Sequence, residues 1–270
     1  MGLIFDIRSA TLYEAWCHSP QGRAMEKLAE KFIIKLLDPQ PGERVLDVGC
    51  GAGNHLLFLS KLGLDITGID ASPYMISRAR ERLGKRCTLK TGMAEDLPFD
   101  DNEFDLAVLT NTLEFLDDPL PALREAGRVA NRMVFIGVMN SLSWYCLFNK
   151  LQGLFRESLL NHARYYNMWE LKSRVRVAFG QVPIAWGSAQ IWPPFLDRIG
   201  EIITDQWSLN HLPFGAFLGL AATVIYRMKT DSLPLKARMS KARQSIARSL
   251  TMGNKDREEG VRGDERGLSI

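Results

Sequence analysis

Residues 44–55, RVLDVGCGAGNH, decide how this chain is read. A short apolar run ends in Asp47, and glycines follow at every second position: Gly49, Gly51 and Gly53. Such a run, leading through a glycine turn into an apolar-periodic segment, predicts a buried strand, a loop and a helix. Glycine lets backbone approach a ligand closely. The glycines alone leave open whether that ligand is a dinucleotide pyrophosphate, a nucleotide phosphate or a group with no phosphate.

Upstream, Met25, Leu28, Ala29, Phe32, Ile33, Leu36 and Leu37 recur at three- and four-residue spacing, the mark of one buried helix face, and Asp38-Pro39-Gln40-Pro41-Gly42 stops that helix. Downstream, Leu56, Leu57, Leu59 and Leu62 predict a helix ending at Gly63. The stretch DITGID (65–70) is then a strand, Ser72-Pro73 an N-cap with proline at the first helical position, and Met75, Ile76, Ala79 and Leu83 the next stripe before Gly84. Further strands are predicted at 87–90, 104–109 and 133–138, with a helix over 119–129. Alternation at this length predicts an α/β fold with a mostly parallel sheet covered by helices on both faces. Ligands of such sheets bind outside the carboxyl ends of the strands, where strand order reverses.

Beyond Val138 the rhythm changes. An aromatic-rich segment, SLSWYCLFNKLQGLF (141–155), precedes a helix over 169–178, and strand-like runs at 182–191 and 214–226 flank a helical stretch near 195–207. From about Lys229 the chain is polar and basic, and its ending, GNKDREEGVRGDERGLSI, reads as a disordered tail. The division expected is a domain over 1–230 and a basic tail over 231–270. Within the domain, residues about 1–40 form a helical cap, about 41–140 the ligand-binding core and about 141–213 the substrate-side insertions.

Composition sets outer limits. With 270 residues and 46% hydrophobic content the chain can bury a real core, and a net charge of +3 is too small to mark a nucleic-acid binder. Cys17, Cys50, Cys87 and Cys146 lie far apart with no C-x-x-C pair, which argues against a zinc site or a disulfide framework and for reduced thiols in a cytoplasmic protein. The N-terminal MGLIFDIRSA shows no signal peptide, and the longest apolar run, 214–226, holds 13 residues, short of the roughly 20 a membrane span requires.

The loop departs from a dinucleotide fingerprint, G-x-G-x-x-G, because Asn54 stands at its sixth position. No Gly-Lys-Ser/Thr follows, and no lysine or arginine occurs from Val45 to Ser60. Asp70 closes the next strand, 23 residues after Asp47. A carboxylate there reaches a ligand lying on the loop and can accept both hydroxyls of an unphosphorylated ribose. The alternative role for Asp70 is a capping carboxylate ahead of Ser72-Pro73.

At these residues the chain resembles the class I methyltransferases that use S-adenosyl-L-methionine. Asp47-Val48-Gly49-Cys50-Gly51-Ala52-Gly53 is similar to their first motif, and Gly68-Ile69-Asp70-Ala71-Ser72 with Met75 to their second. Gly92-Met93-Ala94-Glu95-Asp96-Leu97-Pro98-Phe99 resembles their adenine-side loop, and Phe104-Asp105-Leu106-Ala107-Val108 with Leu113-Glu114-Phe115 their fourth strand and the turn after it. The motifs occur in order over roughly residues 40–140. The resemblance implies a Rossmann-like fold with a mostly parallel seven-stranded sheet. It implies that Gly49, Gly51 and Gly53 line the methionine and ribose of the cofactor, that Asp47 orients the loop or the amino group, and that Asp70 binds the ribose hydroxyls. Ala71 belongs to the same second motif. Ala94 and Glu95 would lie beside the adenine with Met75 or Met93 on its face, and Thr110 and Asn111 would face the methionine end. Two residues depart from the family pattern: Met93 replaces the usual aspartate, and Phe115 the usual histidine.

A sulfonium methyl is already activated, so positioning and exclusion of water carry most of its transfer. The residues that could serve as a base for a hydroxyl acceptor are His18, His162, Glu114 and the Tyr165-Tyr166 pair, and the sequence selects no catalytic residue among them. The segment Thr110-Asn111-Thr112-Leu113 lacks the Asn/Asp-Pro-Pro-Tyr/Phe pattern of enzymes that methylate planar amino groups of adenine or glutamine. A small, apolar or aromatic acceptor is expected instead. It would meet Leu12-Tyr13-Glu14-Ala15-Trp16, ahead of the first helix and similar to a Tyr-Asp-x-Trp segment of small-molecule members. It would also meet Trp144, Leu147, Phe148, Leu151 and Phe155, whose helical spacing fits either a lid or a face packed on the sheet. Five basic residues between 235 and 250, with Leu235, Met239, Ala242, Ile246 and Leu250 on one face, raise peripheral contact with an anionic membrane or RNA; a solvated helix is the plainer reading. A protein that binds the cofactor without turnover and acts through its tail or aromatic segment stands as the other class, and a nicotinamide-dependent oxidoreductase is disfavoured by Asn54.

Overall fold

A computed structural model describes residues 2–153, 163–189 and 212–224. These lie in one compact unit, Met1–Ile225, of the two into which the chain divides. The expected helix near 195–207 and the tail, including 235–250, fall outside the described residues.

Seven strands form one sheet in the order β3-β2-β1-β4-β5-β7-β6. The strands are β1 (Arg44–Val48), β2 (Asp65–Asp70), β3 (Thr88–Thr91), β4 (Phe104–Thr110), β5 (Ala130–Met139), β6 (Ile184–Ala189) and β7 (Phe217–Thr223). The first five pair in parallel, and β7 runs antiparallel between β5 and β6. Strand order reverses between β1 and β4, so the crevice at their carboxyl ends is where an open α/β sheet admits a ligand.

The apolar runs are buried because both faces are covered. Val45, Leu106, Val108 and Phe135 point into a core with Met25, Ala29, Phe32 and Ile33 of α2 (Pro20–Leu37). Their chain neighbours Leu46, Ala107, Val134 and Ile136 point into a second core with Leu123 and Ala126 of α5 (Pro119–Val129) and Leu171 and Val175 of α7 (Met168–Phe179). This is the period-two division of a strand, apolar on both sides. The close seat of α2 depends on Gly219 of β7, where a Cβ would come within 2.7 Å of the Phe32 ring.

Helix starts follow the predicted signals. Ser72 caps α4 (Pro73–Leu83) by accepting from Met75 N at 3.3 Å, and Ser19 and Asp118 cap α2 and α5 ahead of prolines. The structure differs from expectation at several points. Residues 7–17 are themselves a helix, α1 (Ile7–Cys17), capped by Asp6, so the Tyr13–Trp16 segment lies on it rather than ahead of the first helix. Strand β3 starts one residue later than expected, and β5 starts three residues earlier, directly at the end of α5. Among the described residues the run at 182–191 becomes strand only from Ile184, in β6, and that at 214–226 only from Phe217, in β7. Helices α3 (Asn54–Ser60) and α6 (Trp144–Gly153) complete the set, and among the described residues no helix is long and apolar enough to cross a membrane.

Candidate functional site

The glycine loop rises from β1 beside β2. Gly49 N and Cys50 N donate to Ile69 O at 2.8 and 3.0 Å, which ties the loop to the neighbouring strand. Gly49, Gly51 and Gly53 all have positive φ. A Cβ at Gly49 would stand 2.5 Å from Thr112, whose hydroxyl donates to Val48 O at 2.8 Å, whereas a Cβ at Gly51 would meet nothing within 4 Å. Gly49 is therefore spent on joining β1 to the turn after β4, and Gly51 leaves open space.

That space belongs to a cavity with about 1060 Å³ of empty volume, open to solvent at its mouth. Gly49, Gly51, Asp70, Ala71, Met75, Ala94, Glu95, Thr110 and Asn111 line it, together with Met93 and Thr112. Asp47 and Gly53 do not. Asp47 is buried just beneath the loop, and at Gly53 a Cβ would meet Leu83 and Ala79 of α4, so this glycine sets the packing of α3 against α4.

Asp70 accepts from Gly51 N at 2.9 Å through one carboxylate oxygen and from Ser72 N at 2.8 Å through the other. It thus shapes both the glycine loop and the approach to α4, and each oxygen retains lone pairs for a ligand. Burial pushes its pKa up, against those two backbone bonds. Asp47 is pushed further, to about 7, by burial and by the charge of Asp70.

Several buried oxygens have no hydrogen-bond partner: Asp47 Oδ2, Glu95 Oε2, Thr110 Oγ1 and Asn111 Oδ1. An unpaired buried polar atom costs about 1–3 kcal/mol. Three of them, on Glu95, Thr110 and Asn111, line one cavity, and they fit a ligand that completes the bonding. Asn111 adds backbone strain at the same place, with φ +51 at the end of β4.

The chain before the first strand closes the cavity. Leu3 N donates to Phe115 O at 2.9 Å and the Ser72 hydroxyl donates to Phe5 O at 2.6 Å, so residues 3–5 span from the turn after β4 to the start of α4. Phe5, Tyr13 and Phe115 meet edge to face, with centroids 5.0–6.2 Å apart. Tyr13 lines the cavity, and burial raises its hydroxyl pKa well above the usual value.

Of the residues considered as bases, Tyr166 is fully buried and donates to Leu113 O at 3.1 Å, a structural bond. Glu114 is buried away from the cavity lining, accepts from Met139 N at 2.8 Å and is raised to about 8 by desolvation. His18 lines the cavity, and His162 lies outside the described residues. Trp144, Leu147 and Phe148 are 76%, 49% and 58% exposed, so they are neither packed on the sheet nor part of the cavity wall; the side chain of Leu151, and Phe155, lie outside the described residues. Sequence reasoning missed Cys17, Glu26 and His55, which also line the cavity. Glu26 sits among the apolar residues of α2 and carries no motif that could have marked it.

An α/β sheet of this order, with a carboxylate at the end of the second strand bonded to a glycine loop that carries no cation, is the Rossmann-like architecture of the class I methyltransferases. Residues 46–134 match the family model described as a methyltransferase domain, and the chain carries a class I S-adenosylmethionine-dependent methyltransferase domain. An uncharacterized methyltransferase of Synechocystis is 44% identical over 81 residues, covering 30% of this chain and 38% of the relative. A demethylmenaquinone methyltransferase of Corynebacterium kroppenstedtii is 38% identical over 105 residues, covering 39% and 44%. The chain thus spans less than half the length of these curated relatives. In fold it is similar to an S-adenosylmethionine-dependent methyltransferase of Thermotoga maritima, with TM-score 0.58, 23% identity and coverage of 80% and 96% of the two chains. It is also similar to magnesium protoporphyrin IX methyltransferase of Synechocystis, with TM-score 0.55, 16% identity and coverage of 75% and 84%. S-adenosyl-L-methionine is the cofactor of this class. The orphaned oxygens around the cavity and the space above Gly51 fit such a group.

Proposed function

We propose that the protein transfers a methyl group from S-adenosyl-L-methionine to a small, apolar or aromatic acceptor. The observation that carries this reading is the convergence of Asp70, the open space above Gly51 and the unpartnered oxygens of Thr110 and Asn111 on one cavity at the β1/β4 reversal. In this reading Asp70 holds the ribose hydroxyls, Asp47 supports the loop or the amino group, Gly51 makes room for methionine and ribose, and Gly49 holds the loop against Thr112. Met75, Ala94 and Glu95 surround the adenine beside Ala71, and Thr110 and Asn111 face the methyl end. Residues about 1–40 act as the cap, 41–140 as the cofactor core and 141–213 as the acceptor side.

When bound, S-adenosyl-L-methionine supplies a methyl already activated on a sulfonium. What remains for the protein is placement: holding an acceptor in line is worth effective molarities of about 10⁵–10⁸ M. Phe5, Tyr13 and Phe115 supply the apolar, water-excluding wall for this, and the Glu26, Asp70 and Glu95 carboxylates, against the single Arg82 guanidinium in the lining, make the cavity favourable to positive charge. An apolar acceptor is supported by that wall and by the demethylmenaquinone methyltransferases among the relatives.

Calorimetric titration with S-adenosylhomocysteine and with a nicotinamide dinucleotide tests the cofactor, and binding of the dinucleotide alone would overturn the reading. A screen of small aromatic, quinone and amine acceptors with methyl-labelled donor tests the acceptor. Labelling confined to polar acceptors would refute the apolar assignment.

A further inference from the structure

Two helices near the cavity turn apolar side chains to solvent. In α6, Cys146 is buried, Tyr145 packs against the core that contains Met25 and Phe135, and Ser143 caps the helix by accepting from Cys146 N at 3.1 Å. The opposite face carries Trp144, Leu147 and Phe148 at i, i+3 and i+4, with Leu142 before them, all exposed. In α1, Ala10 and Cys17 are buried, while Ile7, Arg8, Thr11, Leu12 and Ala15 face outward. Leu3 and Ile4, on the segment that spans from the turn after β4 to α4, are exposed and also line the cavity.

A row of aromatic contacts joins these groups. Phe115, Phe5, Tyr13 and Trp16 follow one another at centroid spacings of 5.0, 5.5 and 5.5 Å, and Trp16 Nε1 donates to the Tyr145 hydroxyl at 3.3 Å. Ile4 adjoins Phe5, Leu12 stands one turn before Trp16, and Trp144 adjoins Tyr145. The row therefore carries an apolar rim from the cavity lining across α1 to α6, which follows the carboxyl end of β5. An apolar surface of this kind on a soluble fold marks an interaction site.

Charge and access decide what covers it. Residues 2–5 and 140–143 carry no charged side chain, the outward face of α1 carries Arg8, and Lys150 is the one charged residue in the sequence of α6. The neighbouring acids are engaged: Asp6 and Asp118 cap α1 and α5, Glu14 pairs with Arg78, and Asp117 is not free. An apolar surface with positive charge beside it suits an anionic lipid surface. Trp144 at the head of α6 is a side chain of the kind that seats at a lipid–water boundary. A protein seated over Leu3 and Ile4 would close the cavity to a small acceptor, whereas a lipid phase dissolves an apolar one and delivers it there.

We propose that residues 3–5, α1 and α6 form a docking surface for an anionic lipid bilayer, with Trp144, Phe148 and Ile7 entering the headgroup layer, so that the acceptor reaches the cavity from the lipid phase. The delivery of the acceptor rests on the apolar-acceptor reading above; the docking surface rests on the exposed side chains.

Sedimentation of the full chain with vesicles of phosphatidylcholine and phosphatidylglycerol in equal parts tests the surface. The wild-type chain should co-sediment. Trp144→Ser with Phe148→Ser, and separately Ile7→Ser with Leu12→Ser, should each lower the partition coefficient at least about tenfold while S-adenosylhomocysteine affinity stays within about threefold. Thermal melts identify a pair that does not fold, and the other pair then decides. A wild-type chain that stays in solution, or a folded pair that leaves partition unchanged, overturns the docking. The basic tail is the competing anchor: loss of binding on Lys236→Gln, Arg238→Gln, Lys241→Gln, Arg243→Gln and Arg248→Gln together, with both apolar pairs still bound, assigns the contact to the tail and overturns the proposal. So does a wild-type dimer, seen by light scattering, that either pair dissociates without any vesicle binding. Methyl transfer confined to polar acceptors refutes the acceptor reading whatever the vesicles show, and transfer to an apolar acceptor in detergent with no vesicle binding refutes the docking alone.

Discussion

Gly51→Ala separates the space a ligand needs from the space the fold needs. Gly51 has φ +52, and a Cβ added to it meets nothing within 4 Å. The conformation alone costs an L-residue about 1–2 kcal/mol. In a domain of this size 1 kcal/mol moves Tm by about 2–4 °C, so the variant should melt about 2–8 °C lower and still fold. The new methyl would project into the cavity, where the methionine and ribose portion is placed. A ligand that must retreat from it loses packing and the alignment of its hydroxyls with Asp70, and an affinity loss of at least tenfold, about 1.4 kcal/mol, is expected. Gly49→Ala is the contrast: its Cβ would stand 2.5 Å from Thr112, so it should destabilise the fold itself and melt well below Gly51→Ala. Calorimetry with S-adenosylhomocysteine and a thermal melt on each variant make the comparison. A folded Gly51→Ala protein with unchanged affinity would refute the placement of the ligand over the loop.

Other perturbations test separate links. Asp70→Ala removes the acceptor for Gly51 N and Ser72 N as well as two ribose bonds, and with charged hydrogen bonds worth about 1.5–3 kcal/mol each the S-adenosylhomocysteine affinity should fall at least about a hundredfold; a loss under threefold would dismiss the ribose role. Glu114, raised to about 8 in the fold, binds a proton there that the unfolded chain releases near the ordinary glutamate value of 4.5. Its contribution to stability is therefore full below about pH 4.5 and is lost as pH rises through about 8, so Glu114→Gln should flatten the decline of Tm across that window; an unchanged slope counts against a buried neutral acid. Asn140 is fully buried, donates to Pro213 O and Gly215 O at 2.7 Å each and accepts from Leu142 N, so Asn140→Ala should cost about 2–4 kcal/mol in chemical denaturation, and a cost under 1 kcal/mol would contradict the bonding. Trp144→Ala with Phe148→Ala should leave Tm and cofactor affinity within error, because both side chains are mostly exposed and stand outside the cavity lining; a large drop in Tm would show that they pack in the core.

Legibility followed how local each physical signal is. The runs RVLDV and DITGID are strands with the expected limits, and α5 begins and ends where Pro119 and Val129 were read, because burial period, cap and proline all lie within a few residues. The start of β5 was misplaced because Ala130-Asn131-Arg132 is not apolar; Ala130 pairs with Phe104, and a register irregularity at that end of β4 accommodates it. Residues 7–17 gave no clean stripe: only Ala10 and Cys17 of α1 are buried, and the helix is held by its Asp6 cap and by contacts with α2 and α4.

The site divides along the same line. Asp70, Gly51 and Ala94 stand at strand ends and turns whose local grammar exposes them, so a single chain reveals them. Glu26 and His55 reach the cavity only because α2 packs beside α3 on one face of the sheet, a contact between segments 28 residues apart at the Glu26–Asn54 bond. Gly53 shows the converse. Its place in the glycine run is motif-like, yet its hydrogen faces Leu83 and Ala79, so the same run opens onto the cavity at one position and packs helices two residues later. A glycine motif therefore states that backbone comes close to something at each position; only the packed structure states whether that something is a ligand or the protein.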